Sequence, residues 1–334
     1  MDEGTQLVPV QQEGIVVPAG AASLPAIILR SGRAASERFV DFFTAQIHNP
    51  NTREAYARAA GRFFQFVEIR FALGLAEIRP VHVAAYLELL ERELAAPSVK
   101  QHLAAIRMLF DYLVTSGLLP FNPAAAVRGP KHVVKKGKTP VLTAEQARTL
   151  LDAIETDTIV GLRDRALIAT MVYSFARVGA VVGMRVEDYF ENGRRGTFRL
   201  HEKGGKYHEV PAHHNAEAYL DAYLAAAPAA YTGAAAARRL PLFRSVDRRR
   251  KLTARPMSRT DVLQMIKRRA KAVGLPFSTC CHTFRATGIT AYLKNGGTIE
   301  KAQMIANHES PRTTKLYDRT QDQLTLDEIE RVRI

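Results

Sequence analysis

From Ala35 onward, apolar residues recur at the three- and four-residue intervals that gather side chains on one face of an α-helix. Phe39, Phe42, Phe43 and Ile47 form the first stripe. A second helix is expected from Asn51-Thr52-Arg53-Glu54, with Asn51 or Thr52 as its cap, turning Tyr56, Phe63, Phe64 and Val67 inward and Arg53, Arg58 and Arg62 outward. Pro80 opens a third through Val83, Tyr86, Leu87 and Leu90. Pro97-Ser98 opens a fourth through Leu103, Ile106, Leu109, Phe110 and Leu113, and Gly117 closes it. Lys100 and Arg107 fall off that last stripe. These four helices predict a small all-α domain with basic outer faces.

Pro120, Pro123 and Pro130 then break regular structure, and a lysine run follows through Lys131, Lys135, Lys136 and Lys138, the punctuation of a domain linker. Beyond it, Thr143-Ala-Glu145-Gln146 reads as a helix cap leading into Leu150, Leu151 and Ile154. Arg163 to Val172 reads as a buried helix. Residues 185–190 and 196–211 alternate as short strands do, and Gly204-Gly205 reads as the two-residue turn of a hairpin. Helices are expected again at 214–227, 258–273, 282–294, 298–306 and 311–317, with a last one at 324–333. The fold class is therefore mainly α with a small antiparallel β-sheet. The domain plan is a flexible N-terminal arm (1–35), a helical domain (36–126), a basic linker (127–140), a larger second domain (141–318) and a tail helix (319–334). Pro25 to Leu29, within the arm, is read as a segment that could dock on a neighbour.

A chain of 334 residues has room for two such domains. It contains no apolar run of about 18 residues to span a bilayer, and Asp2 and Glu3 stand where a signal peptide would be basic, so the expected location is cytoplasmic and the expected partners exclude a membrane. Cys280 and Cys281 are the only cysteines. Being adjacent, they offer neither a disulfide framework nor zinc-ligand spacing, and are expected as core residues near a site. The formal charge of +14 favours a polyanionic partner, of which nucleic acid is the commonest.

The chemistry concentrates in one C-terminal stretch. His282 and Arg285 are three apart, so a helix places them on one face, close enough to grip one anion. His308 and Tyr317 follow. A phenol, with a pKa of about 10, is a poor nucleophile at neutral pH unless cations stabilise its oxyanion. Arginine suits such a cradle, because its planar fork donates paired hydrogen bonds and keeps its charge. The set reads as a phosphate site with a tyrosine aimed at it.

With Arg177 and Lys203 upstream, the order Arg177, Lys203, His282, Arg285, His308, Tyr317 resembles that of the tyrosine recombinase, or phage-integrase, family, over nearly the whole chain from about residue 36. Arg177 matches in Phe175-Ala-Arg-Val-Gly-Ala180. Lys203 matches in Glu202-Lys-Gly-Gly-Lys206, with Lys206 as the alternative. His282 and Arg285 match the His-x-x-Arg motif, and His308 to Tyr317 match a final box with Thr313-Thr314 inside it. Two positions depart from the pattern: Ala180 stands where members carry Glu, and Asn307 where many carry Gly.

The resemblance implies a helical core-binding (SAM-like) domain followed by a catalytic domain, and a site-specific DNA recombinase or integrase that works without metal, cofactor or ATP. Tyr317 would attack the scissile phosphate to give a 3′-phosphotyrosyl bond and a free 5′-hydroxyl. Arg177 and Arg285 would hold the non-bridging oxygens and His308 would donate to them. Lys203 would protonate the leaving oxygen, and His282 would accept a proton or orient the phosphate. The implied partners are a double-stranded DNA recombination site and three further copies of the chain, a homotetramer with the tail helix exchanged between protomers, docking on its own domain being the alternative, with accessory proteins allowed. The implied setting is a bacterial-type nucleoid, on a mobile element or a chromosome. Same-fold alternatives are a catalytically silent DNA-binding regulator and a type IB topoisomerase-like relaxing enzyme. DNA contacts are expected from Arg53, Lys100, Arg107, Lys135, Lys136, Lys138, Arg248, Arg249, Arg250, Lys267 and Arg268, with Arg244 to Arg255 read as a basic loop.

Overall fold

The computed structural model describes residues 7–9, 16–18, 24–132, 137, 139–202, 207–227 and 235–318. The chain divides into two units, Met1–Val133 and Val134–Ile334.

In the first unit, β1 (Leu7–Pro9) pairs antiparallel with β2 (Val16–Pro18). Five helices follow: α1 (Ala26–Arg30), α2 (Arg33–Asp41), α3 (Pro50–Phe71), α4 (Pro80–Glu93) and α5 (Ala96–Thr115). Phe39, Phe42, Phe43, Phe63, Phe64, Val83, Tyr86, Leu87, Leu103, Ile106 and Phe110 share one core, as their periodicity predicts. Three details differ from the sequence reading. The apolar segment of the arm belongs to this unit's own core, since Leu24, Ile27 and Ile28 are buried in it. A π-turn at Phe42–Gln46 carries the first stripe past the end of α2. The cap of α3 is Asn49, whose side chain accepts from the Thr52 amide at 3.1 Å. Pro50 takes the first helical position, where its missing N–H costs nothing.

The second unit is built on two helices buried nearly all round, α7 (Ile159–Tyr173) and α11 (Cys281–Lys294). They approach closely at Gly288, where a Cβ would collide with the Val172 carbonyl oxygen and lie 2.8 Å from the Phe175 ring. Around them lie α6 (Ala144–Asp152), α8 (Val178–Val182), α9 (His214–Ala226), α10 (Arg259–Ala272), α12 (Ile299–Ala306) and α13 (Pro311–Lys315). Strands β3 (Tyr189–Asn192), β4 (Arg195–His201) and β5 (Tyr207–Pro211) form an antiparallel sheet in that order. His201 pairs with Tyr207 at the end of the β4–β5 ladder. The expected Gly204-Gly205 turn lies outside the described residues. A further hairpin, β6 (Arg244–Val246) with β7 (Leu252–Pro256), replaces the loop expected there. The expected tail helix, and the arm outside the two short strands and residues 24–35, lie outside the described residues.

Buried charge ties this unit together. Asp164, fully buried, accepts from Arg163 through Oδ1 at 3.1 and 2.7 Å and from Arg269 of α10 through Oδ2 at 3.2 and 2.9 Å. Arg163 also donates to the Arg244 carbonyl at 2.8 Å, fixing β6 against α7.

Candidate active site

Arg177 is the N-cap residue of α8 and projects 43% exposed, with Nη1 donating to Glu202 Oε2 at 2.8 Å. It follows Phe175, a buried aromatic residue with φ of +54°, in the left-handed region that bulky residues avoid. The turn has a use: the Phe175 carbonyl accepts from Arg285 Nη1. Arg285, in the second turn of α11, is 2% exposed, and its Nη2 donates to the Ala306 carbonyl at 2.7 Å. Two backbone carbonyls thus hold a buried guanidinium in one orientation. Burial, followed by repulsion from Arg177, lowers the Arg285 pKa to about 10, still charged at neutrality, and Tyr317 and Glu202 oppose the fall.

His282 opens α11 and is exposed. The protein crowding its ring, then Arg285 and Arg177, hold it below the ordinary imidazole value. His308 is buried, and desolvation followed by the same two arginines pushes it down to about 3, so it is neutral at physiological pH. Its Nδ1 lies 3.0 Å from Thr314 Oγ1. Asn307 caps α12 at φ +47°. That left-handed position favours Gly and, after it, Asn, which accounts for the departure read in the sequence.

Tyr317 follows α13, half-buried, its ring stacked on His308 with centroids 5.8 Å apart and planes at 8°. Thr290 of α11 donates to the Tyr317 carbonyl at 2.8 Å, anchoring the segment. Arg177, His282, Arg285, His308 and Tyr317 are therefore brought to one place, on four separate segments. Lys203 lies outside the described residues, as do Lys206, Lys135, Lys136 and Lys138. The sequence reading gave Glu202, Thr290 and Thr314 no role. Thr314 sits in the final box and was visible there as a polar residue without a role; Glu202, beside Lys203, gave no such signal.

The catalytic family model, the phage integrase family, matches residues 140–323, and the phage integrase N-terminal SAM-like domain matches residues 37–117. The chain belongs to the phage integrase family of tyrosine recombinases. Membership makes it an enzyme, a site-specific DNA recombinase. The tyrosine recombinase XerC of Myxococcus xanthus is 27% identical over 296 residues, covering 85% of this chain and 90% of that protein. XerD of Xanthomonas axonopodis pv. citri is 29% identical over 288 residues, covering 84% and 91%. The fold resembles that of the XerH recombinase bound to palindromic difH substrate, with a TM-score of 0.67 at 19% identity, covering 84% of this chain and 79% of that one. It also resembles a lambda integrase dimer bound to a COC′ core site, with a TM-score of 0.62 at 21% identity, covering 87% and 79%.

The recombinase's remaining DNA-contact candidates separate by what their side chains do. In the first unit, Arg53 donates twice to the Ile47 carbonyl at 3.0 and 2.9 Å, bracing the turn before α3. Arg107 donates to the carbonyls of Ala124 and Val127, holding the segment after α5. Both guanidiniums are committed to backbone. Lys100 is exposed. In the second unit, Arg248, Arg249 and Arg250 are exposed on the turn of the β6–β7 hairpin, which Asp247 organises by accepting from the amides of Arg249 and Lys251 at 2.8 and 2.9 Å. Arg244, expected in that basic loop, is buried instead. Arg268 is exposed, 3.7 Å from Asp164. Lys267 bends over the Phe277 ring at 4.3 Å and donates to the Phe277 carbonyl. Cys280 and Cys281, expected in the core, are half-buried at the start of α11, and burial raises the Cys281 thiol to about 11.

Proposed function

We propose that the recombinase cleaves and rejoins DNA through Tyr317, with the two arginines as the phosphate clamp. The observation that carries this reading is the shared site. A buried, doubly anchored Arg285 and an exposed Arg177 both act on the two imidazoles, and Tyr317 lies against one of those imidazoles and beside Arg285. Tyr317 Oη attacks the phosphorus, its proton passing to His282 or water, and the bond to the 5′ oxygen breaks. Lys203 protonates that oxygen, leaving a 3′-phosphotyrosyl bond and a free 5′-hydroxyl. Arg177, Arg285 and His308 donate to the non-bridging oxygens, where charge builds in the transition state. The covalent bond conserves the energy of the phosphodiester, so attack by a second strand's 5′-hydroxyl reseals DNA without ATP, and no step is routed through a metal.

The substrate is a double-stranded recombination site, bound in the bacterial-type cytoplasm by four copies that exchange their tail helices. The site can be found as the sequence the protein enriches from a random duplex pool. A nicked version of that duplex releases the short strand after cleavage and traps the adduct. The adduct is expected in EDTA and without nucleotide, and Tyr317→Phe should abolish it. An adduct that survives Tyr317→Phe, or none from the unaltered protein, overturns the reading.

A further inference from the structure

The family pattern supports its first arginine with a glutamate three residues on, and here that position is Ala180, buried in the core and unable to hold a charge. We propose that Glu202 takes over this task as a positioning residue for Arg177. The inference rests on the reading that Arg177 grips the scissile phosphate. Arg177 is the more exposed half of the pair, 43% against 8% for Glu202, so the carboxylate is the fixed member and the guanidinium the one being aimed.

The chain leading into Glu202 is held at two points. It directly follows β4, whose Phe198 and Leu200 are buried in the core. The residue before it, His201, is clamped by Nε2 at 2.9 Å from Oδ1 of Asp188, and Asp188 is itself buried and accepts from the Arg185 amide at 2.8 Å. The carboxylate meets Arg177 through Nη1 alone, at 2.8 Å. A guanidinium has five N–H donors, so the other edge of the fork stays available for a phosphate. Glu202 Oε1 is buried with no hydrogen-bond partner among the described residues. An exposed ion pair would do little, but one with its carboxylate shielded from water can hold a direction.

Glu202 also adjoins Lys203, so the experiment must tell the clamp from the acid. The full-length protein is given the nicked duplex above, and adduct formation at saturating DNA is measured separately from binding affinity and thermal midpoint. Glu202→Ala should slow adduct formation by about ten- to hundred-fold, with affinity and midpoint nearly unchanged. Glu202→Gln, which keeps an acceptor but loses the charge, should fall between. The same defect should persist on a duplex with a bridging sulfur at the 5′ position, because a thiolate leaves without an acid while the phosphate still needs its clamp.

An unchanged or faster Glu202→Ala overturns the proposal, the faster case marking the carboxylate as a competitor of phosphate. Rescue by the bridging sulfur also overturns it, by moving the role to Lys203. If Glu202→Ala does not fold, the Gln variant decides on the same criteria. No adduct from the unaltered protein would instead overturn the phosphotyrosyl reading, and this inference with it.

Discussion

His308 Nδ1 and Thr314 Oγ1 lie 3.0 Å apart, both in the buried part of the site. Because His308 is neutral, one ring nitrogen carries a proton and the other accepts. A hydroxyl donating to Nδ1 leaves the proton on Nε2, the tautomer needed to donate to a phosphate oxygen. Thr314→Val keeps the shape and removes the hydroxyl, so adduct formation should slow by about tenfold, the worth of a roughly 1.4 kcal/mol loss. Thr314→Ser should restore most of the rate. Equal rates for Thr314→Val and the unaltered protein would show that the contact sets nothing.

The same histidine should make stability depend on pH. An unfolded imidazole takes up its proton as pH falls below about 6.5, whereas His308 in the folded protein resists until about 3. Between those values the unfolded state binds more protons, so stability falls as pH falls. One such group gives a slope approaching about 1.4 kcal/mol per pH unit. His282, His102 and His213 are shifted in the same direction and add to it. Urea titrations between pH 7 and 5.5, above most carboxylate titration, should show the decline, and His308→Asn should flatten it. A slope unchanged by that substitution would assign the effect to other groups.

The elements of the site were legible where chemistry is local. His282 and Arg285 share one helical turn, so spacing alone puts them on one face, and the box from His308 to Tyr317 is a single short segment that the family resemblance carries. What was not legible depends on contacts between distant segments. The partner of Arg177 comes from the end of a strand 25 residues away, and no periodicity announces it. The hairpin of β6 and β7 was hidden because four successive basic residues, Arg248 to Lys251, read as part of a basic loop, although they occupy only its turn. Charge also misled in the other direction. Arg244, Arg53 and Arg107 look like surface cations in sequence, yet burial or backbone carbonyls take them up. The cap of α3 is Asn49 rather than Asn51 or Thr52, with Pro50 at the first helical position, where its missing N–H costs nothing.

Asp164 should be far more costly to remove than any surface acid in the second unit. Asp164→Ala leaves Arg163, whose side chain is 4% exposed, without its carboxylate. Breaking a buried pair in this way costs about 3–5 kcal/mol. Glu209, which pairs with Arg199 at 3.0 Å on a half-exposed face, provides the control; Glu209→Ala should cost at most about 1 kcal/mol. Denaturant midpoints at neutral pH compare the two. Similar losses would mean that Arg163 finds another acceptor or water.

The exposed arginines of the hairpin turn and the committed arginines of the first unit should differ in their salt dependence. A cation that neutralises a phosphate releases a counterion, so removing it lowers the slope of log affinity against log salt by about 0.9. Arg248, Arg249 and Arg250 are exposed on a turn whose backbone is set by Asp247, so replacing them leaves the hairpin's hydrogen bonds in place. If all three meet phosphates, the triple Ala variant should lose about 2–3 from the slope while keeping its preference among sites, because backbone contacts carry no sequence information. Arg107→Ala should instead lower the thermal midpoint, having freed the Ala124 and Val127 carbonyls, and leave the salt slope nearly unchanged. A triple variant with the full slope would remove the hairpin turn from the DNA interface. A slope lowered by Arg107→Ala would mean that its remaining donors reach a phosphate despite the two carbonyls it already serves.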